Sequence, residues 1–143
     1  MTDGSTETIV DLRVLNMDHI VLRVKDVERA ISFYTEVLGL APHRVDEFRQ
    51  GAAPFPCARV DDHTIIDLLP VPDQGPVGDG PRNLDHYCLT ITPTDMSMLA
   101  DRLRQQGVTV LSDEPAQRSG AEGMGTSIYI KDWEDNTIEL RHY

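Results

Sequence analysis

The chain carries one short pattern twice, and this repeat limits its fold more than any other feature. "MDHIVLRV" occupies residues 17–24, and "LDHYCLTI" occupies residues 84–91. In each copy an Asp-His pair opens a run that is apolar at every second position, which is the period of a β-strand with one buried face. Because His86 follows His19 by 67 positions, nearly half the chain, we interpret the two strands as the first strands of two copies of one unit.

The segments that follow each strand support this interpretation. "KDVERAISFYTEVLGL" predicts an amphipathic helix that is capped by Asp26, turns apolar residues inward as far as Val37 and Leu38, and ends at Gly39. "TDMSMLADRLRQQG" predicts a second helix that begins at Thr94 or Asp95 and ends at Gly107. The inward-facing residues of the second helix are Met96, Leu99, Ala100 and Leu103. Short strands are predicted at 45–48, 58–60 and 64–69 in the first copy, and at 108–111, 126–130 and 137–141 in the second.

We therefore predict an α+β fold of two paired βαβββ modules that form a half-open barrel around a metal cup. The cup is the concave face of the barrel, where a metal ion is expected. Residues 17–69 form the first module and residues 84–143 the second. Residues 70–83 are rich in Pro and Gly and are interpreted as a linker. Residues 1–16 are an N-terminal extension, partly flexible, whose end could add an edge strand or a dimer contact.

The acidic composition excludes two classes of partner. The formal net charge is -11 and the isoelectric point is near 4.7, so neither nucleic acid nor an anionic membrane surface is expected to bind. The first residues lack the basic and apolar regions of a signal peptide, and no apolar run is long enough to cross a bilayer. We expect a soluble, cytoplasmic protein whose partner is a small-molecule substrate.

The alternation of the strands predicts which side chains line the cup. If the apolar residues of both first strands pack beneath the helices, His19 and His86 point into the concave face. In the last strand of each copy, Asp67 and Glu139 occupy matching positions on that face. A lone histidine on a strand is usually a hydrogen-bonded structural residue, but two matched histidines with two matched carboxylates are costly to bury without a cation.

Imidazole nitrogen and carboxylate oxygen together suit a divalent first-row metal such as Fe, Ni, Zn, Mn or Co. We predict one such ion on His19, His86 and Glu139, with coordination positions left for water and substrate. Asp67 has a shorter side chain, so it could bind the ion directly, bind it through water, orient a histidine or have no role. Glu139 and Asp67 are also the candidate groups for moving a proton.

At these residues the sequence resembles the vicinal oxygen chelate superfamily, which includes glyoxalase I, extradiol dioxygenases, fosfomycin-resistance enzymes and bleomycin-binding proteins. "DHIVLRVKDVERAISFYTEVLGL" resembles the first strand and helix of that family. "SIYIKDWEDNTIEL" resembles its common ending, although "WEDN" stands where "PDGN" is usual. The resemblance covers Met17 to Tyr143 and implies paired modules, commonly in a homodimer. It also implies His19, His86 and Glu139 as metal ligands and Asp67 in the place where glyoxalase I carries a glutamate.

Three functions are open on such a scaffold. The leading hypothesis is a glyoxalase-like lyase or isomerase, in which the metal holds two adjacent substrate oxygens and Glu139 or Asp67 moves a proton. The second is an Fe(II) extradiol-type dioxygenase, with His63 and Tyr129 as its candidate helper residues. The third is a non-enzymatic antibiotic-binding resistance protein, which the retained ligand set disfavours.

Arginines supply the candidate contacts for an anionic substrate. Arg23 and Arg141 share the parity of the predicted ligands on their strands, so either could meet an anionic substrate, although a surface or interface salt bridge is slightly favoured for each. Arg118 lies in the glycine-rich segment "RSGAEGMGTS", which could wrap a small anion but is more typical of a flexible surface loop.

Overall fold

Eight strands and three helices make up the parts of the chain that the computed structural model describes, namely residues 12–71, 83–133 and 136–143. The first half contains β1 (Val14–Val24), α1 (Val27–Ser32) with a π-helical continuation (Phe33–Val37), β2 (Ala41–His43), α2 (Val45–Arg49), β3 (Cys57–Arg59) and β4 (Ile65–Pro70). The second half contains β5 (Leu84–Ile91), α3 (Met96–Gln105), β6 (Ala116–Gly120), β7 (Gly123–Lys131) and β8 (Thr137–His142). Most of the predicted N-terminal extension (1–11), most of the predicted linker (72–82) and residues 134–135 of the family-like ending lie outside the described residues.

All eight strands belong to one mixed sheet in the order β2-β3-β4-β1-β5-β8-β7-β6, which curls into a half-barrel. β1 and β5 pair antiparallel at its centre, while β4 runs parallel to β1 and β8 runs parallel to β5. The two halves match in register, because Asp67 of β4 lies opposite Val21 and Glu139 of β8 lies opposite Cys88. Val21 and Cys88 each follow a motif histidine by two positions. The predicted pairing of two βαβββ modules is therefore confirmed.

The helices pack on the convex side of the sheet, as their apolar periodicity predicts. In α3 all four predicted inward residues are buried, and they pack against apolar side chains of β5, β7 and β8. Asp95 caps α3 by accepting a hydrogen bond from the Met98 amide (3.1 Å), and Asp26 caps α1 in the same way. Burial on this face leaves the concave face for polar side chains. No helix in the described ranges is long and apolar enough to span a membrane.

Three local predictions are wrong. Residues 45–48 are helical, because four residues are too few to tell the period of a strand from that of a helix. Residues 108–111 make only the isolated bridge of Val110 to Ile130. Val37 and Leu38 are 68% and 54% exposed instead of buried. The Leu38 amide donates to the Phe33 carbonyl (3.0 Å), and this wider π-type turn shifts the helix phase away from the core.

The glycine-rich segment is a β-hairpin and not a flexible loop. β6 and β7 pair from Ala116 opposite Ser127 to Gly120 opposite Gly123. The turn reaches across to the first module, where buried Ala121 packs against Cys57 and Ile65. This turn covers the concave face of the first module.

Candidate metal centre

The structure brings together three of the predicted ligands at the centre of the sheet. His19 comes from β1, His86 from β5 and Glu139 from β8. His19 Nε2 lies 3.3 Å from His86 Nε2, and each of these atoms lies 3.1 Å from Glu139 Oε1. Two nitrogens and one oxygen thus form a nearly regular triangle, which is the donor set expected for a first-row divalent metal.

The size of this triangle fits one cation. Zinc takes histidine nitrogen and carboxylate oxygen at about 2.0–2.2 Å, and donors that share an ion at right angles are then about 3 Å apart. The observed separations of 3.1 and 3.3 Å match this spacing. A single ion could therefore contact all three atoms with little movement of the protein.

Each histidine is held by the aspartate that precedes it in the repeated motif. His19 Nδ1 donates to Asp18 Oδ1 (2.8 Å), and His86 Nδ1 donates to Asp85 Oδ2 (2.7 Å). These hydrogen bonds turn both Nε2 atoms toward Glu139 and raise their basicity as ligands. This role of the two aspartates was not predicted, although the repetition of the Asp-His pair in both modules indicated it.

The two aspartates differ in their surroundings. Asp18 is fully buried and accepts hydrogen bonds from the Ala121 amide (2.9 Å), the Tyr143 hydroxyl (2.5 Å) and the Thr90 hydroxyl (3.3 Å). Burial alone would raise the pKa of Asp18, but its hydrogen bonds with His19, Tyr143 and Ala121 outweigh this effect and lower it. Asp85 is instead 26% exposed and pairs with Arg23.

The two carboxylate oxygens of Glu139 have different partners. Oε1 faces the two histidines, while Oε2 accepts hydrogen bonds from the Ser127 hydroxyl (2.7 Å) and the Arg141 guanidinium (3.3 Å). Burial raises the pKa of Glu139, but the two histidines outweigh it and lower the pKa overall. For His19, burial acts in the opposite direction and lowers the pKa. The interactions of His19 with Asp18, Cys88 and Glu139 outweigh burial and raise its pKa to about 12. The cup thus favours positive charge, supplied by a proton or by a metal ion.

Asp67 stands apart from the triangle. It is buried on β4. The ligand atoms of His19, His86 and Glu139 all lie within 4.8 Å of one another, and Asp67 does not belong to this group. Its Oδ1 atom is buried without a hydrogen-bond partner. Burial raises the pKa of Asp67, and the nearby charge of His19 offsets this only in part.

The other candidate residues differ in how close they lie to the triangle and in how exposed they are. Tyr129 lies beside the centre, with its ring edge-on to His86 at 5.4 Å between centroids. His63 is 59% exposed and lies 3.5 Å from Glu122. The interpretation of Arg141 as a substrate contact is wrong, because its side chain is fully buried and donates to the Ser119 carbonyl (2.9 Å). Arg23 is in the ion pair with Asp85.

Comparisons with known proteins agree with this architecture. The virulence protein STM3117 of Salmonella typhimurium is 31% identical over 140 residues, which cover 97% of this chain and 89% of that protein. The glutathione transferase FosA of Serratia marcescens is 25% identical, over 87% of this chain and 79% of that protein. The Mn(II)-bound glyoxalase from Novosphingobium aromaticivorans superposes with a TM-score of 0.68 at 22% identity, over 92% of this chain and 40% of that one.

The family model described as the Glyoxalase/Bleomycin resistance protein/Dioxygenase superfamily matches residues 16–140. This match includes all three members of the triangle and both copies of the repeated unit. With its curled sheet of paired modules, the chain belongs to this superfamily, also called the vicinal oxygen chelate superfamily.

Proposed function

We propose that this protein is a divalent-metal-dependent enzyme, a glyoxalase-like lyase or isomerase whose small oxygenated substrate binds the metal through two adjacent oxygens. The observation that carries the proposal is the triangle of His19, His86 and Glu139 atoms, with sides of 3.1 to 3.3 Å. Fe, Ni, Zn, Mn and Co all suit these donors. The Mn(II) of the glyoxalase neighbour makes manganese the first ion to test.

A bound ion would act as a Lewis acid that polarises the substrate oxygens. The protein's part is to hold the three donors in place. Because Ser127 and Arg141 occupy Oε2 of Glu139, only Oε1 is directed at the cup. His19 and His86 have their second nitrogens bound to aspartates, so their Nε2 atoms are fixed as ligands.

We assign the proton transfer to Asp67, with Glu139 as a ligand that could share this role. A general base must stand beside a chelated substrate, within reach of its proton. Asp67 has a buried oxygen without a hydrogen-bond partner and lies near enough to His19 and His86 for their charge to affect its pKa. Burial raises the pKa of Asp67, which makes it a stronger base than an exposed aspartate.

Metal analysis of protein purified without chelators tests this proposal. We expect about one ion per chain in the wild type and a loss of nearly all metal in His86→Ala, with the circular dichroism spectrum unchanged. His63→Ala is the matched control, because this exposed histidine lies outside the triangle, and it should retain the metal. Undiminished metal in His86→Ala would refute the site.

The second candidate is an Fe(II) extradiol-type dioxygenase. It is favoured by the two-His-one-carboxylate set and by the contact of Tyr129 with His86. Oxygen uptake by the iron-loaded protein on catechols would support it, whereas Mn, Ni or Zn without oxygen uptake supports the lyase or isomerase. A metal-free protein that binds an antibiotic tightly would support sequestration.

A homodimer in the cytoplasm is part of the same proposal. The apolar side chains of Phe33, Val37 and Leu38 are exposed side by side on the first module, which supports an interface there.

A further inference from the structure

We propose that the substrate carries an anionic group at the end away from the metal and that Arg118 binds this group. The inference rests on the proposed function, because it assigns the second half of a substrate whose first half is held at the triangle. The substrate class is a small carboxylate with two adjacent oxygens for the metal.

A cavity adjoins the candidate metal centre on the side of β6 and β7. Its volume is about 440 Å³, which is within the range of small-molecule sites. Ser127 and Tyr129 form the wall toward the centre, since Ser127 bonds Glu139 (2.7 Å) and Tyr129 contacts the ring of His86. A molecule in this cavity therefore lies next to side chains that contact two of the three candidate metal ligands.

The opposite side of the cup is closed. The turn after β6 packs over the first module, and Arg44 and Arg59 fix it by donating to the carbonyls of Gly120 (3.1 Å) and Ala121 (2.8 Å). His19 is accordingly only 3% exposed, whereas His86 is 12% exposed. The side of the cup that belongs to the second module, where the cavity lies, is therefore the more accessible one.

Arg118 presents the positive charge of this cavity. It lies opposite Gly125 in the hairpin, as Ala116 lies opposite Ser127, so its side chain is on the face that lines the cavity. Its guanidinium carbon is 5.9 Å from the centre of the Tyr129 ring. The contact chain from His86 through Tyr129 to Arg118 thus joins the metal centre to a cation.

The charge of Arg118 is available for a ligand. The arginines that form ion pairs with carboxylates in the described parts of the chain are Arg23, Arg49, Arg104 and Arg141, and Arg118 is not among them. Its backbone is nevertheless fixed, because Arg141 donates to the Arg118 carbonyl (2.5 Å). A guanidinium on a fixed strand suits a carboxylate, which it can bind through two parallel hydrogen bonds.

Asp113 and Glu114 also line the cavity and would repel an anion that bound beside them. We favour an anion because the guanidinium of Arg118 lies over the Tyr129 ring, and this ring in turn contacts the ring of His86. An ammonium group on the ligand would be favoured if the two acids dominated.

The experiment compares chelating probes that differ only at the free end. Succinic, glutaric and adipic monohydroxamates would be titrated calorimetrically into the Mn(II)-loaded protein, beside alkyl hydroxamates of equal length and an amino-terminated analogue. All bind a metal through two adjacent oxygens. We expect the best carboxylate probe to bind about tenfold more tightly than its alkyl match, as befits one charge-assisted contact. Arg118→Gln should abolish that preference without changing alkyl binding, and Arg118→Lys should keep part of it.

Gln117→Ala is the matched control, because Gln117 points to the other face of the hairpin, where it bonds Thr126. It should leave every affinity and the Mn content unchanged. Equal binding of carboxylate and alkyl probes, a preference for the amino probe, or a carboxylate preference that survives in Arg118→Gln would overturn the inference while the metal site stands. Failure of the wild type to hold any of Mn(II), Fe(II), Co(II), Ni(II) and Zn(II), or of the loaded protein to bind any hydroxamate, would overturn the proposed function itself.

Discussion

The two modules begin with the same Asp-His pair but place their histidines in different surroundings. In the first module Asp18 is buried beneath Tyr143 and the Ala121 amide, and His19 is almost fully covered. In the second module Asp85 is partly exposed, and His86 borders the cavity side. The repeat therefore determines where the nitrogens lie, and long-range contacts determine how accessible they are.

The matched carboxylates differ in the same way. Asp67 and Glu139 occupy equivalent register positions, yet only Glu139 reaches the histidines and has Ser127 and Arg141 to hold its second oxygen. The position two residues after each carboxylate explains part of this difference, since it is Leu69 in the first module and Arg141 in the second. One module thus supplies the fixed carboxylate of the candidate metal centre, and the other keeps a buried carboxylate with an oxygen that has no hydrogen-bond partner.

The largest expected loss of stability follows the removal of Arg141, because its guanidinium bonds the hairpin whose turn covers the first module. Arg141→Met would leave the buried Glu139 charge and the carbonyls of Arg118 and Ser119 without their donor. We expect the free energy of unfolding to fall by about 3–5 kcal/mol, because one partner of a buried ion pair is lost. Urea denaturation followed by circular dichroism measures this.

The matched change is Arg104→Met, which removes an exposed pair with Asp101 and should alter stability by less than about 1 kcal/mol. If both variants lost equally little, the turn over the first module would be held by its apolar contacts and by the hydrogen bonds of Arg44 and Arg59, without help from the buried ion pair of Arg141.

The two motif aspartates should differ in their effect on metal binding. Asp18→Asn removes the negative charge beside His19 and replaces one of two oxygens, each of which accepts from two donors, by an amide nitrogen that cannot accept. We expect metal affinity to fall by about 10- to 100-fold. Asp85→Asn should cost less than about tenfold, because Asp85 is partly hydrated and already shared with Arg23. Competition with a fluorescent chelator gives both dissociation constants.

Equal losses in the two variants would show that the burial of Asp18 adds nothing to its effect on His19. A loss confined to Asp85→Asn would reverse the comparison and make the exposed histidine the one that depends on its aspartate.

The sequence predicted the features that depend on local patterns. Strand alternation predicted the positions of His19 and His86, and apolar periodicity predicted α3 and its buried face. The matched ends of β4 and β8 predicted that Glu139 would meet the histidines. These features need only the period of each element and the pairing of the two repeats.

The features that were missed depend on contacts between distant segments. The glycines of the β6–β7 hairpin indicated flexibility, but a Cβ at Gly120 would lie 2.3 Å from Arg141 Nη1, and one at Gly125 would lie 2.6 Å from Arg141 Nη2. They are small because a buried arginine passes beside them. The burial of Arg141 itself follows from bonds to a hairpin some twenty residues away, which no local pattern shows.

The smallest expected effect concerns the carboxylate without a complete set of partners. Asp67→Asn keeps the shape of the side chain and removes its charge from a buried site where Oδ1 has no hydrogen-bond partner. We expect the metal-free variant to be more stable than the wild type at pH 8, by on the order of 1 kcal/mol. Because Asp67 lies outside the triangle, Mn content should be unchanged.

The pH dependence of this difference identifies its cause. Burial raises the pKa of Asp67 above the ordinary 3.8, so the folded protein holds this proton more tightly than the unfolded chain does. Wild-type stability therefore rises relative to Asp67→Asn as the pH falls through the raised pKa, and the advantage of the variant vanishes below about 3.8. Urea unfolding of both proteins from pH 4 to pH 8 measures the difference. A constant difference would mean that packing and not charge separates them, and a lower stability of Asp67→Asn at pH 8 would mean that the carboxylate has a favourable partner in the first module.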